Sequence, residues 1–122
     1  MSDATTRDFG EIERRVRRFR DERDWKQFHR PKDVAVSVSI EAAELLEHFQ
    51  WKTDDEAARY LADPANRDAV AAEMADVLIL LVSAADVIGV DLHAATLAKI
   101  EKNAVKYPVA KAKGTAAKYD RL

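Results

Sequence analysis

The stretch Asp63–Gly89, which reads DPANRDAVAAEMADVLILLVSAADVIG, decides the fold of this chain. Asp63 is a residue type that caps helix N-termini, and Pro64 suits the first helical position, where its missing N–H leaves no bond unmade. At the other end, Gly89 suits the left-handed residue that commonly follows a helix. Because good helix formers fill the space between these signals, the stretch predicts one long helix from Pro64 to about Ile88.

The composition of the whole chain favours a single all-α domain. Its 122 residues include 48% apolar and 34% charged residues but only three glycines and three prolines, a balance rich in helix formers and poor in turn residues. Twenty basic and 22 acidic residues nearly cancel, so the total charge does not indicate binding to a polyanion. The absence of cysteine excludes disulfides and thiolate metal sites, and leaves carboxylate and imidazole as side-chain metal ligands.

Further helices are predicted around the first one, to give a bundle of about five helices with two long antiparallel ones. Capping and helix-breaking residues mark their ends. After residue 108, a basic tail has too few apolar residues to fold alone and is expected either to stay mobile or to wrap a surface. The predicted helices are Asp8 to about Trp25, Pro31 to about Gln50, a short one from the capping box Thr53–Glu56 through Leu61, and one from Asp91 to about Lys106; the tail is Val109–Leu122.

The second of these segments carries a conflicting signal. Val34, Val36, Val38 and Ile40 alternate with other residues, which is the period of a strand. However, the chain offers no second strand to pair with it, and the adjoining EAAELLE run is a strong helix former. One helix through the whole segment is therefore the better interpretation.

Two pairs of acids lie on the two long predicted helices. In Glu41-Ala-Ala-Glu44 and in Glu73-Met-Ala-Asp76 the acids are three residues apart, so each pair shares one helical face at about 5 to 6 Å. Both pairs adjoin apolar sequence and should border the core, where carboxylates need basic partners, protons or a divalent cation. Oxygen ligands of this kind suit Mg²⁺ or Mn²⁺. The spacing alone also fits ordinary surface acids, so it leaves both interpretations open.

The two acidic pairs, separated by 28 residues, resemble the signature of the all-α nucleoside triphosphate pyrophosphohydrolases, the MazG-like superfamily. The flanking runs RDWKQFH (23–29), ELLEHFQW (44–51) and KYPV (106–109), with Gly114 and Lys118-Tyr119, resemble its dCTP pyrophosphatase branch. The similarity extends from about residue 9 to residue 121.

This resemblance implies an enzyme and its metal site. It implies a homotetramer that uses Mg²⁺, or Mn²⁺ in its place, to cleave dCTP or modified deoxycytidine triphosphates to a nucleoside monophosphate and pyrophosphate. The metal ligands would be Glu41, Glu44, Glu73 and Asp76. Glu44 and Glu41 would be the catalytic carboxylates, with Glu44 favoured as the base that activates water.

The resemblance also implies the substrate-binding residues. By themselves, these residue types equally fit core packing, a solvated loop or a solvated helix stripe. Two positions depart from vertebrate members, with Val16 in place of a pocket histidine and Leu80 in place of a pocket tyrosine, so the base that is read stays open. The implied residues are Trp25 and Trp51 against the nucleobase, His29, and the stripe Lys99, Asn103 and Tyr107 for phosphate and base.

Other functions compete with this one. A broad MazG-type hydrolase, or one that prefers dUTP or a damaged nucleotide, would keep the same site, whereas a non-catalytic helical interaction protein would use only the apolar faces. A di-iron bundle requires Glu-x-x-His motifs, and the sequence has none. The arginine-rich first helix also carries many acids, which argues against nucleic-acid binding. The polar N-terminus and the short apolar run Val77–Val82 predict a cytoplasmic protein outside the membrane.

Overall fold

The computed structural model describes residues 7–122, and this part of the chain is helical with no β-strand. The all-α prediction is therefore confirmed. Within the described residues, no single helix is both long and apolar enough to span a membrane; only the fourth and fifth helices taken together meet that criterion by length and composition. The helices are α1 (Phe9–Glu22), α2 (Pro31–Glu47), α3 (Asp54–Ala62), α4 (Pro64–Ile88), α5 (Leu92–Lys106) and α6 (Val109–Ala112), with 3₁₀ turns at Lys26–Phe28 and Tyr119–Arg121.

The capping signals in the sequence function as predicted. The Asp63 carboxylate accepts a hydrogen bond from the Ala65 amide at 2.9 Å at the start of α4. Gly89 ends the same helix in the left-handed region at φ 84°. Thr53 and Glu56 form the reciprocal capping box of α3. These contacts satisfy backbone groups that a helix end would otherwise leave unpaired.

Two helices end earlier in the chain than the sequence predicts. The helix α1 stops at Glu22 rather than near Trp25, because Asp24 adopts φ 56° and the Trp25 amide turns back to the Arg20 carbonyl at 3.0 Å. The helix α2 likewise stops at Glu47, and the turn that follows ends at Trp51 with φ 67°. Both tryptophans therefore project from turns rather than from helices.

The C-terminal tail contains short helical elements. After α6, the chain reaches a 3₁₀ turn in which the Tyr119 ring meets the Tyr107 ring edge-on at 6.1 Å. The Lys106 ammonium lies 5.1 Å from the centre of the Tyr119 ring, an arrangement that attracts a cation to an aromatic face. The tail therefore folds back on the end of α5.

The described chain divides into two compact units, residues 7–89 and residues 90–122. In the first unit, α2 packs along α4, and α1 and α3 also pack against α4. Val34 of α2 and Val70 and Val82 of α4 are its buried apolar residues. The long helix predicted from the sequence is thus the element that the other three helices of this unit share.

A buried ion pair ties α1 to α4. Arg20 is only 3% exposed and bonds to Asp86 of α4 and, at 3.0 Å, to Asp21. Arg17 lies 3.7 Å from the same Asp86 carboxylate. Burial opposes the charged form of Arg20, but its hydrogen bonds and attraction to Asp86 and Asp21 outweigh that cost and raise its pKa.

Removing Asp86 should therefore destabilise this unit more than removing Asp21. The substitution Asp86→Ala leaves a buried guanidinium without its main partner, and we expect the free energy of unfolding to fall by about 3 kcal/mol. Asp21→Ala removes a carboxylate from a half-exposed pair and should cost under about 1 kcal/mol. Urea unfolding of both variants measures the difference, and equal losses would contradict the assignment of Asp86 as the main partner.

Candidate active site

Three of the four predicted metal ligands lie together at the contact between α2 and α4. Carboxylate oxygens of Glu41, Glu73 and Asp76 all lie within 4.8 Å of one another. Glu73 and Asp76 share one face of α4 because they are three residues apart, and the packing of α2 on α4 brings Glu41 to that face. We refer to these three side chains as the acidic cluster.

Glu44, the fourth predicted ligand, lies outside the acidic cluster but interacts with it. Its carboxyl group hydrogen-bonds with Glu41, one turn earlier on α2. Glu44 is half-buried. The structure therefore places this residue beside the cluster, where it can complete a ligand set.

The charge of the acidic cluster has no protein counterion. None of the salt bridges formed by residues 7–122 includes a member of the cluster. In addition, one buried carboxylate oxygen of Glu41 and one of Glu73, the Oε2 atoms, have no hydrogen-bond partner. Buried acceptors of this kind are costly unless they are paired. Three convergent carboxylates with unpaired oxygens fit a hard divalent cation.

The crowding of carboxylates raises the proton affinity of Glu41. Burial, hydrogen bonding with Glu44 and repulsion from Glu44, Asp76 and Glu73 raise the pKa of Glu41 from 4.5 to about 7. Each of these effects disfavours the ionised carboxylate. A cation in the cluster would have to displace that proton, so its binding should strengthen as the pH rises.

A cavity of about 440 Å³ lies between α1 and α4 in the same unit. Two predicted substrate residues, Trp25 and His29, line it, and Trp25 meets the Phe19 ring edge-on at 5.7 Å. The Nδ1 atom of His29 is buried and has no hydrogen-bond partner. The remaining wall is mainly apolar and includes Val16 and Leu80.

The other predicted substrate residues are not part of this cavity wall. Trp51 is 91% exposed and does not line the cavity. Lys99, Asn103 and Tyr107 belong to the second unit, where they follow one another at intervals of four along α5 and its end. All three are exposed, and the assignment of these four residues to substrate binding stays a prediction.

Sequence reasoning did not assign to a site the two buried polar residues of the cavity wall, Arg20 and Ser83, nor Arg15, which also lines it. Arg20 and Ser83 are both 3% exposed. The signal that could have found them is their register, because Ser83 follows Asp76 by seven residues and Arg20 follows Val16 by four, which places each on the face of a residue already singled out. Their residue types instead suggested ordinary solvated positions.

Comparisons with known proteins agree with the predicted resemblance. The sequence profile of the MazG-like family matches residues 36–122. The proteins named dCTP pyrophosphatase 1 from Bos taurus and Homo sapiens are each 41% identical to the chain over 112 residues. That match covers 92% of this chain and 66% of those relatives, so the chain spans just under two thirds of their length. A solved pyrophosphatase from Archaeoglobus fulgidus has a TM-score of 0.75 and 41% identity, with 88% of this chain and 99% of that chain covered.

The raised pKa of Glu41 predicts how stability depends on pH without metal. Between pH 4.5 and 7 the folded chain holds the Glu41 proton more tightly than the unfolded chain, so this contribution to the free energy of unfolding falls as the pH rises through that window. The substitution Glu41→Gln removes the titrating group and should remove this part of the slope. Urea unfolding at a series of pH values in EDTA measures it.

The control for this experiment is Glu47→Gln, which changes an exposed acid on the same helix. Adding Mg²⁺ at high pH should stabilise the wild type and the control but not Glu41→Gln, because only the first two keep the ligand. If the free energy of unfolding varied with pH in the same way for the wild type and Glu41→Gln, the assignment of the raised pKa to Glu41 would be contradicted.

Proposed function

We propose that this chain, which belongs to the MazG-like family, hydrolyses dCTP or modified deoxycytidine triphosphates to the nucleoside monophosphate and pyrophosphate. The observation that carries the proposal is the acidic cluster beside the aromatic-lined cavity. Asp76 belongs to the cluster and Leu80 to the cavity wall, and the two are one helical turn apart. A ligand could thus place phosphates at the cluster and a base in the cavity. The relatives named dCTP pyrophosphatase 1 support deoxycytidine as the nucleoside.

We assign Mg²⁺, with Mn²⁺ as a substitute, to Glu41, Glu73 and Asp76, with Glu44 available as a fourth oxygen ligand. Hard carboxylate oxygens favour these cations over softer ones. When bound, such a cation would offset phosphate charge and lower the pKa of a nearby water. The unpaired oxygens of Glu41 and Glu73 support this assignment, because a cation would satisfy both.

Glu44 is our candidate for the general base. It lies beside the acidic cluster and already hydrogen-bonds with Glu41. A carboxylate in that position can accept a proton from the attacking water while the other three carboxylates remain ligands. Glu41, the other predicted catalytic carboxylate, would assist by holding the cation next to Glu44.

The cavity residues would bind the nucleoside. The Trp25 side chain, held edge-on against Phe19, offers an aromatic face on which a pyrimidine can stack. The unpaired Nδ1 of His29 supplies a hydrogen-bonding atom at the wall. On the family resemblance we keep Trp51, Lys99, Asn103 and Tyr107 as further substrate contacts.

We also propose that the chain acts as a homo-oligomer, with the homotetramer of the family resemblance as the expected state. Among residues 7–122, the buried apolar core comprises three valines, whereas many large apolar side chains are exposed. On α4, Met74, Leu78 and Leu81 are each more than a third exposed and follow a helical stripe. A stripe of that kind is covered most readily by a second copy. We further propose that the chain acts on a small-molecule substrate in the cytoplasm. We expect it to bind neither nucleic acid nor a membrane.

Incubation with Mg²⁺ and dCTP should yield dCMP and pyrophosphate, identified by chromatography. Glu73→Gln should lower kcat at least about a hundredfold, because it removes several kcal/mol of charge stabilisation at the metal. Glu47→Gln, the exposed control on α2, should leave kcat near the wild-type value. Orthophosphate as the first product would rule out this cleavage, and a nucleotide panel would reveal a broad or dUTP-preferring enzyme instead.

Sedimentation equilibrium should give a mass that is a multiple of the 13.7 kDa chain, and four times that mass for the homotetramer. Leu81→Lys places a charge on the exposed α4 stripe and should shift the equilibrium toward smaller species. Asp68→Lys, on a different face of α4, is the matched control and should leave the mass unchanged. A wild-type monomer at micromolar concentration would contradict the proposal.

A further inference from the structure

One face of α4 connects the acidic cluster to the cavity. Asp76, Leu80 and Ser83 fall at positions i, i+4 and i+7 of this helix, which places them on a common stripe. Seven residues make two helical turns, so Ser83 lies about 10.5 Å along the axis from Asp76. The stripe thus begins with a carboxylate, continues with an apolar wall and ends with a hydroxyl.

Ser83 is a largely buried residue of the cavity wall whose hydroxyl forms no hydrogen bond within the described residues. The residue is 3% exposed and lines the cavity. Within residues 7–122, no hydrogen bond that involves its hydroxyl is formed. Its oxygen is not among the fully buried atoms without a partner, so it can be reached from the cavity and can bond to a ligand there.

The protein groups around Ser83 do not supply a hydrogen-bond partner for its hydroxyl. Val16, Phe19 and Leu80 contribute apolar walls. The Arg20 guanidinium also reaches the cavity, but its Nε and one of its terminal nitrogens are committed to Asp21 and Asp86, and neither Arg20 nor His29 forms a hydrogen bond with Ser83 within the described residues. A ligand in the cavity can therefore supply a hydrogen bond to the Ser83 hydroxyl.

We propose that Ser83 is a specificity-determining residue whose hydroxyl hydrogen-bonds the polar edge of the nucleobase. This inference rests on the proposed function, because it takes the phosphates to be held at the acidic cluster. A nucleotide anchored there extends its sugar along Leu80 and its base toward Ser83. A hydroxyl can both donate and accept, and a pyrimidine edge offers ring acceptors beside an exocyclic group. A site built to make such a bond discriminates against analogues that lack it.

The competing interpretation is that Ser83 is only a small residue that allows α1 to approach α4. In that case alanine would replace it at no cost to ligand binding. The two interpretations differ in what they predict for a polar base and for an apolar base of the same shape.

Calorimetry with α,β-methylene-dCTP and Mg²⁺ separates them, because this analogue binds without being cleaved. Ser83→Ala should weaken its binding about tenfold, the worth of one typical hydrogen bond. Ser83→Thr, which keeps the hydroxyl, should retain most of the affinity. Ser39→Ala changes an exposed serine of α2 and should have no effect.

The second ligand is a deoxynucleoside triphosphate that carries 2,4-difluorotoluene in place of the base. It has the shape of a pyrimidine without its hydrogen-bonding strength, so the wild type and Ser83→Ala should bind it equally. Equal weakening of both ligands would overturn the proposal in favour of a packing role. Unchanged binding of the dCTP analogue, or no binding by the wild type, would also overturn it.

The same experiment distinguishes this inference from the proposed function. If the wild type binds the analogue in a Ser83-dependent manner but forms no dCMP from dCTP, the proposed catalysis fails and the base contact stands. If dCMP forms but Ser83→Ala binds the analogue as tightly as the wild type, the catalysis stands and the base contact fails.

Ser83→Cys preserves the side-chain volume with a weaker hydrogen-bond donor and should reproduce the loss of affinity seen with Ser83→Ala.

Discussion

The packing of α2 along α4 brings like charges together at the edge of an apolar contact. Val34 and Val82 are buried in this unit, and the same helix contact brings Glu41 to Glu73 and Asp76. The hydrophobic contribution of this packing offsets the repulsion among carboxylates, since apolar burial stabilises whether or not the acids are neutralised. The raised pKa of Glu41 is the physical sign of that conflict. A protein with this arrangement gains stability from any cation that the acids can hold.

The first unit, residues 7–89, contains one buried charge that its neighbours neutralise and one group of charges that they do not. Around Arg20, a buried charge is matched by Asp86 and Asp21, so the pair contributes to structure. In the acidic cluster, the charges have no protein partner within the described residues. An anionic triphosphate would be repelled by such a cluster until a cation reversed the local charge. For the proposed substrate, these charges imply an order of assembly in which a cation would precede or accompany the nucleotide.

Because α4 is shared, it sets the register of the whole site. Its stripe of Asp76, Leu80 and Ser83 aligns the metal end with the cavity, and Asp86, one turn further on, anchors α1 through Arg20. The turn after α1 then returns Trp25 and His29 to the cavity wall. A shift of α1 would therefore move the aromatic wall relative to the acids. The buried ion pair between Arg20 and Asp86 therefore helps to fix the cavity wall relative to the acidic cluster.

The sequence by itself determined the helical class, the long α4 and the pairing of acids on single helical faces. These depend on short-range effects, since a capping aspartate, a left-handed glycine or a spacing of three acts within one or two turns. Only the tertiary structure decided that Glu44 lies outside the acidic cluster, that Trp51 is exposed while Trp25 lines the cavity, and that Ser83 is buried and unpaired. Such features depend on which faces of distant segments meet. Arg20 and Asp86 contact each other although they are far apart in the sequence, and no local sequence pattern predicts a contact of that kind.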